Sequence, residues 1–107
     1  MMQARKINAK ELERVLPNES GELVAVFVAN WCGYCKSLMK ELEATTVCFN
    51  LCEVDISETE DKAWEDYNID VVPTALLFKA GKEVGRRACS FKGMGVKDLQ
   101  ELVAKHA

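Results

Sequence analysis

The sequence predicts an α/β fold, with a central mixed β-sheet of four to five strands flanked by about four helices. Three observations carry this expectation. Strand-like and helix-like segments alternate along the whole chain. The run Leu23 to Ala29 is continuously apolar and rich in β-branched residues, as befits a strand covered on both faces at the centre of a sheet. Finally, the stretch Val71 to Phe91 reads as two strands joined at Ala80-Gly81, a β-hairpin that brings antiparallel pairing into an otherwise parallel order.

A short strand is expected over Gln3 to Ile7. Asn8, with Glu11 three positions later, has the spacing of a capping box and starts a helix over Ala9 to Leu16, with Leu12, Val15 and Leu16 inward. Pro17 ends it. After the turn-rich PNESGE comes the central strand. Cys35, Leu38, Met39 and Leu42 then fall at the i, i+3, i+4, i+7 positions of an amphipathic helix, with Lys36, Lys40 and Glu41 outward. Val47 to Ile56 reads as the next strand. Ser57 and Glu60 suggest a second capping box, for a helix over Ser57 to Asn68 with Ala63, Trp64 and Tyr67 inward. After the hairpin, Gly95 to Ala107 forms a last helix whose inner face is Val96, Leu99, Leu102 and Val103.

The 107 residues fit one domain, 1–107, with no linker, repeat or low-complexity segment. A net charge of −3 gives no electrostatic pull towards nucleic acid or an anionic membrane, so neither is expected as a partner. The start lacks the apolar core of a secretory signal, and the longest apolar run is too short to span a bilayer. A cytoplasmic protein is therefore expected. Five cysteines, Cys32, Cys35, Cys48, Cys52 and Cys89, would then be catalytic, metal-binding or buried rather than structurally bridged.

Cys32 and Cys35 stand between the apolar strand and the amphipathic helix. At a helix start, unpaired N–H groups and the dipole stabilise an anion at Cys32, whereas Cys35 heads the buried stripe and should stay protonated. Such a pair can exchange with a disulfide: Cys32 attacks and Cys35 resolves. In this context C-x-x-C favours redox chemistry over metal binding. The metal alternative takes the form Cys32, Cys35, Cys48, Cys52, but on one strand the last two would be ~13 Å apart, too far for one tetrahedral zinc. Cys48, Cys52 and Cys89 read as buried small hydrophobes, His106 as a solvated residue of the last helical turn, Trp64 as core, and the GRR and FKG charges as a solvated strand face. No metal ligand set is assigned.

Trp31-Cys32-Gly33-Tyr34-Cys35-Lys36, Asp55, Tyr67, Ile69, Val72-Pro73-Thr74, the FKAG turn and Gly93 are spaced as in the thioredoxin family, which the chain resembles over nearly its whole length. The resemblance implies the thioredoxin fold and a thiol–disulfide oxidoreductase that reduces protein disulfides through a Cys32–Cys35 redox-active disulfide, without a cofactor. It implies electrons from a separate disulfide reductase, disulfide-bearing protein substrates, and a monomer. It further implies a cis peptide bond before Pro73, and a flat apolar patch of Trp31, Gly33, Tyr34, Val72, Pro73, Gly93 and Met94 around Cys32. Within it Val72, Pro73, Thr74, Gly93 and Met94 would bind substrate, and Trp31, Gly33, Tyr34 and Lys36 would shape the active site.

Two positions depart from the family pattern. Val26 stands where these proteins usually carry a buried aspartate, and Leu51 where its lysine partner often lies; replacing both together avoids a lone buried charge. Slower resolution by Cys35 is the expected consequence. Tyr34 replaces the usual proline and supplies an N–H that could reach the Cys32 thiolate. Cys-Gly-Tyr-Cys also resembles periplasmic disulfide isomerases, and the tyrosine resembles glutaredoxins. The missing signal and dimerisation domain argue against the first, and the lack of a Gly-Gly and acidic residue after the proline strand argues against the second. A redox-inert interaction module is the remaining alternative.

Overall fold

The computed structural model describes residues 5–107. Five strands form one sheet: β1 (Arg5–Asn8), β2 (Glu22–Val28), β3 (Leu51–Asp55), β4 (Thr74–Lys79) and β5 (Lys82–Ala88), in the spatial order β1-β3-β2-β4-β5. β1, β3 and β2 run parallel, and β4 and β5 run antiparallel to their neighbours. The helices are α1 (Ala9–Val15), α2 (Gly33–Glu43), α3 (Ala63–Asp66) and α4 (Val96–Lys105). The expected strand at Gln3 and Ala4 lies outside the described residues; β1 begins at Arg5.

β2 is central, and all of Leu23 to Val28 is buried. Its side chains alternate between faces. Val24, Val26 and Val28 pack with Cys35, Leu38 and Leu42 of α2 and Leu99 and Leu102 of α4. Leu23, Ala25 and Phe27 face the other way, onto Leu12 of α1 and the α3 region. α2 and α4 therefore lie on one face and α1 on the other.

The capping box at α1 forms as expected: the Glu11 N–H donates to Asn8 Oδ1 at 2.9 Å, and the Asn8 N–H donates to Glu11 Oε1 at 3.0 Å. α1 ends at Val15, and Leu16–Asn18 continue as one 3-10 turn around Pro17. The hairpin turns through Ala80 and Gly81, both at positive φ (51° and 79°). A Cβ at Gly81 would also come within 2.8 Å of the Leu16 carbonyl oxygen, so this corner is closed to larger residues.

Two elements are shorter than expected. The strand forecast from Val47 is confined to Leu51–Asp55, because the ladder with β2 begins only at Val24↔Leu51. The helix forecast from Ser57 is confined to Ala63–Asp66. Ser57 does not cap it. Its hydroxyl donates to Asp55 Oδ1 at 2.5 Å and accepts the Asn30 N–H at 2.8 Å, so a tertiary tie between β3 and the loop after β2 replaces the local cap.

The FKG segment is not strand but a tight turn, Ser90 to Gly93, closed by the Gly93 N–H on the Ser90 carbonyl at 2.9 Å. The arginines of GRR are tethered rather than simply solvated. Arg86 donates to the Tyr67 and Asn68 carbonyls at 2.9 and 3.0 Å, and Arg87 meets Asp98 of α4 at 2.5 Å. His106 is half-buried, its Nδ1 3.1 Å from the Leu102 carbonyl oxygen.

Candidate active site

β2 delivers the chain to Ala29, and the next turn places Cys32 as the N-cap of α2. The Cys35 N–H donates to Cys32 Sγ at 3.1 Å. An anion on that sulfur thus meets a backbone donor and the helix terminus together. The donor is the amide of Cys35 rather than that of Tyr34, because the N3 amide is the one an N-cap side chain reaches. On its other side Cys32 Sγ donates to the Val72 carbonyl oxygen at 3.4 Å. The Val72-Pro73 peptide bond is cis, as the resemblance implied.

Cys35, one turn on, is fully buried among Val24, Val26 and Leu38. Burial pushes its thiol up to about 12; the side-chain hydrogen bond with Cys32 adds to this, and a backbone hydrogen bond from Ala29 opposes it. The two sulfurs are chemically unlike: one half-buried and cradled by an N–H, the other buried and protonated.

The surroundings are held by bonds that the sequence did not advertise. The Trp31 indole N–H donates to the Ser57 carbonyl at 2.7 Å, and the ring stacks on Trp64 with centroids 6.4 Å apart and planes 7° from parallel. Trp64 is thus half-buried support for the site rather than core. Its own N–H bonds the Ile56 and Glu58 carbonyls, both at 3.2 Å. The Tyr34 hydroxyl donates to the Phe91 carbonyl at 2.7 Å, pinning the Ser90–Gly93 turn beside the cysteines. Gly93 sits at φ 86°, and a Cβ there would lie 3.1 Å from the Tyr34 ring. Lys36 is exposed, and its N–H donates to the Cys32 carbonyl at 3.1 Å.

The residues of the expected patch divide between surface and interior. Trp31 and Tyr34 are exposed, at 54% and 48%, and Val72 and Gly93 are half-buried beside them. Pro73, Thr74 and Met94 are buried and support this surface from below; Thr74 Oγ1 donates to the Val71 carbonyl at 2.7 Å. Two exposed apolar residues were missed: Val71, and Phe91 at 84% exposure on the tip of its turn. Their signal was an apolar residue next to turn chemistry, masked by reading both stretches as strand.

Of the other cysteines, Cys52 is buried as expected, but Cys48 is exposed and Cys89 half-buried. Cys48 precedes β3 in an irregular bend, and Cys89 follows β5 with its N–H on the Pro73 carbonyl at 3.0 Å. Cys52 and Cys35 face opposite sides of the sheet, so the four-cysteine metal set is not brought together. The sequence reading also overlooked Glu53, the single charged residue between Leu51 and Val54 in β3. It is buried on the α2 face, directly across from Val26, so Glu53 holds the partner position expected for Leu51, which pairs with Val24 instead, and the pair is not apolar on both sides.

Two thiols of unlike burial on one helical turn, facing a cis-proline loop, are equipped to exchange a dithiol for a disulfide; proteins of this class are thiol–disulfide oxidoreductases. The thioredoxin family model matches residues 3–105. Thioredoxin of Chlamydia trachomatis is 39% identical over 93 residues, covering 81% of this chain and 84% of that one. Thioredoxin of Echinococcus granulosus is 32% identical over 108 residues, covering 96% and 94%. The X-ray structure of Fasciola hepatica thioredoxin superposes with a TM-score of 0.76 at 29% identity, covering 96% of this chain and 99% of that one. The chain belongs to the thioredoxin family, and it is a thioredoxin-like thiol–disulfide oxidoreductase.

Proposed function

We propose that the protein reduces protein disulfides, with Cys32 as nucleophile and Cys35 as resolving thiol. The observation that carries this is the Cys35 N–H on Cys32 Sγ at 3.1 Å, with Cys35 itself buried. Cys32 thiolate attacks one sulfur of a substrate disulfide, forming a mixed disulfide and releasing the other sulfur as thiolate. Cys35 then attacks Cys32 Sγ, closing the Cys32–Cys35 disulfide and freeing the reduced substrate. The substrate chain lies along the Val72 backbone, against Trp31, Tyr34, Gly93 and the two added residues Val71 and Phe91. Pro73, Thr74 and Met94 hold that surface in shape, while Gly33 and Lys36 carry the turn into α2.

Residues 1–107 act as one domain, working as a monomer in the cytoplasm. Thiol exchange itself moves the electron pair, so no cofactor takes part, and a separate disulfide reductase restores the dithiol. No helix among the described residues is long and apolar enough to cross a membrane.

The test couples two measurements, the reduction potential of the Cys32–Cys35 pair and the reduction of insulin disulfides. A potential below about −200 mV with insulin reduction that disappears in Cys32→Ser is expected. A strongly oxidising potential without insulin reduction would overturn the assignment. Insulin reduction that survives in Cys32→Ser would overturn the role of Cys32.

A further inference from the structure

Five large apolar side chains are exposed among the described residues, and four of them belong to segments joined to the cysteine pair. Trp31 and Tyr34 flank Cys32 in the chain, and Val71 precedes the carbonyl that receives its thiol. The fourth, Phe91, is the most exposed and sits at the far end of the Tyr34 hydroxyl bond. A single exposed ring is ordinary on a protein surface, whereas a cluster of them beside a reactive sulfur marks a contact surface.

The turn that carries Phe91 is closed by its own bonds, the Gly93 N–H on the Ser90 carbonyl at 2.9 Å and the Lys92 N–H on Ser90 Oγ at 3.2 Å. Neither bond fixes the turn relative to α2. Among the described residues one hydrogen bond does so, from the Tyr34 hydroxyl to the Phe91 carbonyl oxygen at 2.7 Å. The Tyr34 ring lies against Gly93 as well, so close that a Cβ there would come within 3.1 Å of it. A proline at position 34 would leave the Phe91 carbonyl without this donor. We propose that Tyr34 is a positioning residue: its hydroxyl fixes the Phe91 turn against α2, and the fixed turn selects protein disulfides with a large apolar side chain near the reacting cysteine over small disulfides that have none.

This assignment rests on the dithiol reading above and adds a substrate preference to it. A turn already held in its bound shape loses little freedom when a substrate docks, whereas a loose one must be ordered at that moment. The penalty for losing the tie therefore falls on substrates that reach Phe91. A small disulfide meets Cys32 Sγ without spanning to the turn, so it is affected less. The rival role for Tyr34 is an effect on the sulfurs themselves, since it lies between the two cysteines in the chain. The hydrogen bond to Cys32 Sγ, however, comes from the Cys35 N–H, and the Tyr34 hydroxyl is directed to Phe91. An effect on the sulfurs would slow large and small disulfides alike.

A single-turnover experiment separates the two. Reduced protein is mixed with excess insulin or bis(2-hydroxyethyl) disulfide, quenched with acid and alkylated, and the Cys32–Cys35 disulfide is counted by mass spectrometry. Tyr34→Phe keeps the ring and removes the tie. It should raise the half-saturating insulin concentration about three- to tenfold, the factor of one neutral hydrogen bond, and change the limiting rate less. The preference for insulin over the small disulfide should fall about threefold or more by the same reasoning. Phe91→Ala should lower that preference further, and Phe91→Leu should restore most of it. Adding Tyr34→Phe to Phe91→Ala should change it by less than about twofold, because the tie then has no side chain to present. Equal slowing of both disulfides in Tyr34→Phe, an unchanged preference in Phe91→Ala, or full additivity of the two variants overturns the proposal alone. A wild-type protein that forms no Cys32–Cys35 disulfide with either substrate overturns the dithiol reading and this proposal with it.

Discussion

Glu53→Gln should make the protein more stable at pH 8 and leave its stability unchanged at pH 4. Burial holds the Glu53 carboxyl above its ordinary value of 4.5, with Lys6 opposing and Glu43 assisting. In the interval between the unfolded and folded values the native state binds more protons than the unfolded chain. The contribution of Glu53 to stability is therefore fully present below about pH 4.5 and declines as pH rises through the raised folded value. Above that window the native state carries an ionised oxygen with no partner, which costs about 1–3 kcal/mol. Glutamine keeps the shape and never ionises, but leaves an amide to satisfy, so a gain of about 1 kcal/mol is the expectation. For a chain of this size that corresponds to about 4–8 °C in Tm. Thermal unfolding of both proteins at pH 4, 6 and 8 measures it, with other titrating groups cancelling in the difference. A variant less stable than wild type at pH 8, or a difference that ignores pH, would refute the reasoning.

Three further outcomes are expected. Cys35→Ser should trap disulfide-bearing substrates on Cys32 as mixed disulfides visible on non-reducing gels, because the resolving sulfur is gone; the Cys32→Ser,Cys35→Ser double variant should trap none. Gly93→Ala, at φ 86° and 3.1 Å from the Tyr34 ring, should cost about 1–2 kcal/mol by urea unfolding and raise KM for insulin more than it lowers kcat. Phe27→Ala removes a fully buried ring that packs 5.1 Å from Tyr67 and should cost about 3–5 kcal/mol, a large part of the stability of a domain this size. Chemical denaturation would detect it, and a loss under 1 kcal/mol would contradict the assigned core.

The legible parts of the fold were those where a local signal and the tertiary demand agree. Asn8 and Glu11 cap α1 through reciprocal bonds, each side chain accepting the other residue's backbone N–H. Cys35, Leu38 and Leu42 share a helical stripe, and on β2 they meet Val24, Val26 and Val28. Ser57 and Glu60 have equally good capping spacing, yet α3 starts at Ala63. There the Ser57 hydroxyl is taken up by Asp55 and Asn30, and its carbonyl by Trp31. Val47 to Asn50 carry strand-like side chains but lie before the point where β2 begins to offer ladder partners.

By itself the sequence determined the α/β class, the parallel-then-hairpin order, and the C-x-x-C pair at the head of a buried helical stripe, because periodicity and capping act over a few residues. Only the tertiary structure decided which carbonyl receives the Cys32 thiol, that Tyr34 pins the Phe91 turn, and that an acid missing at Val26 has a carboxylate directly across from it at Glu53. Those relations join residues up to 57 positions apart, and strand register and burial settle them, not the identity of near neighbours.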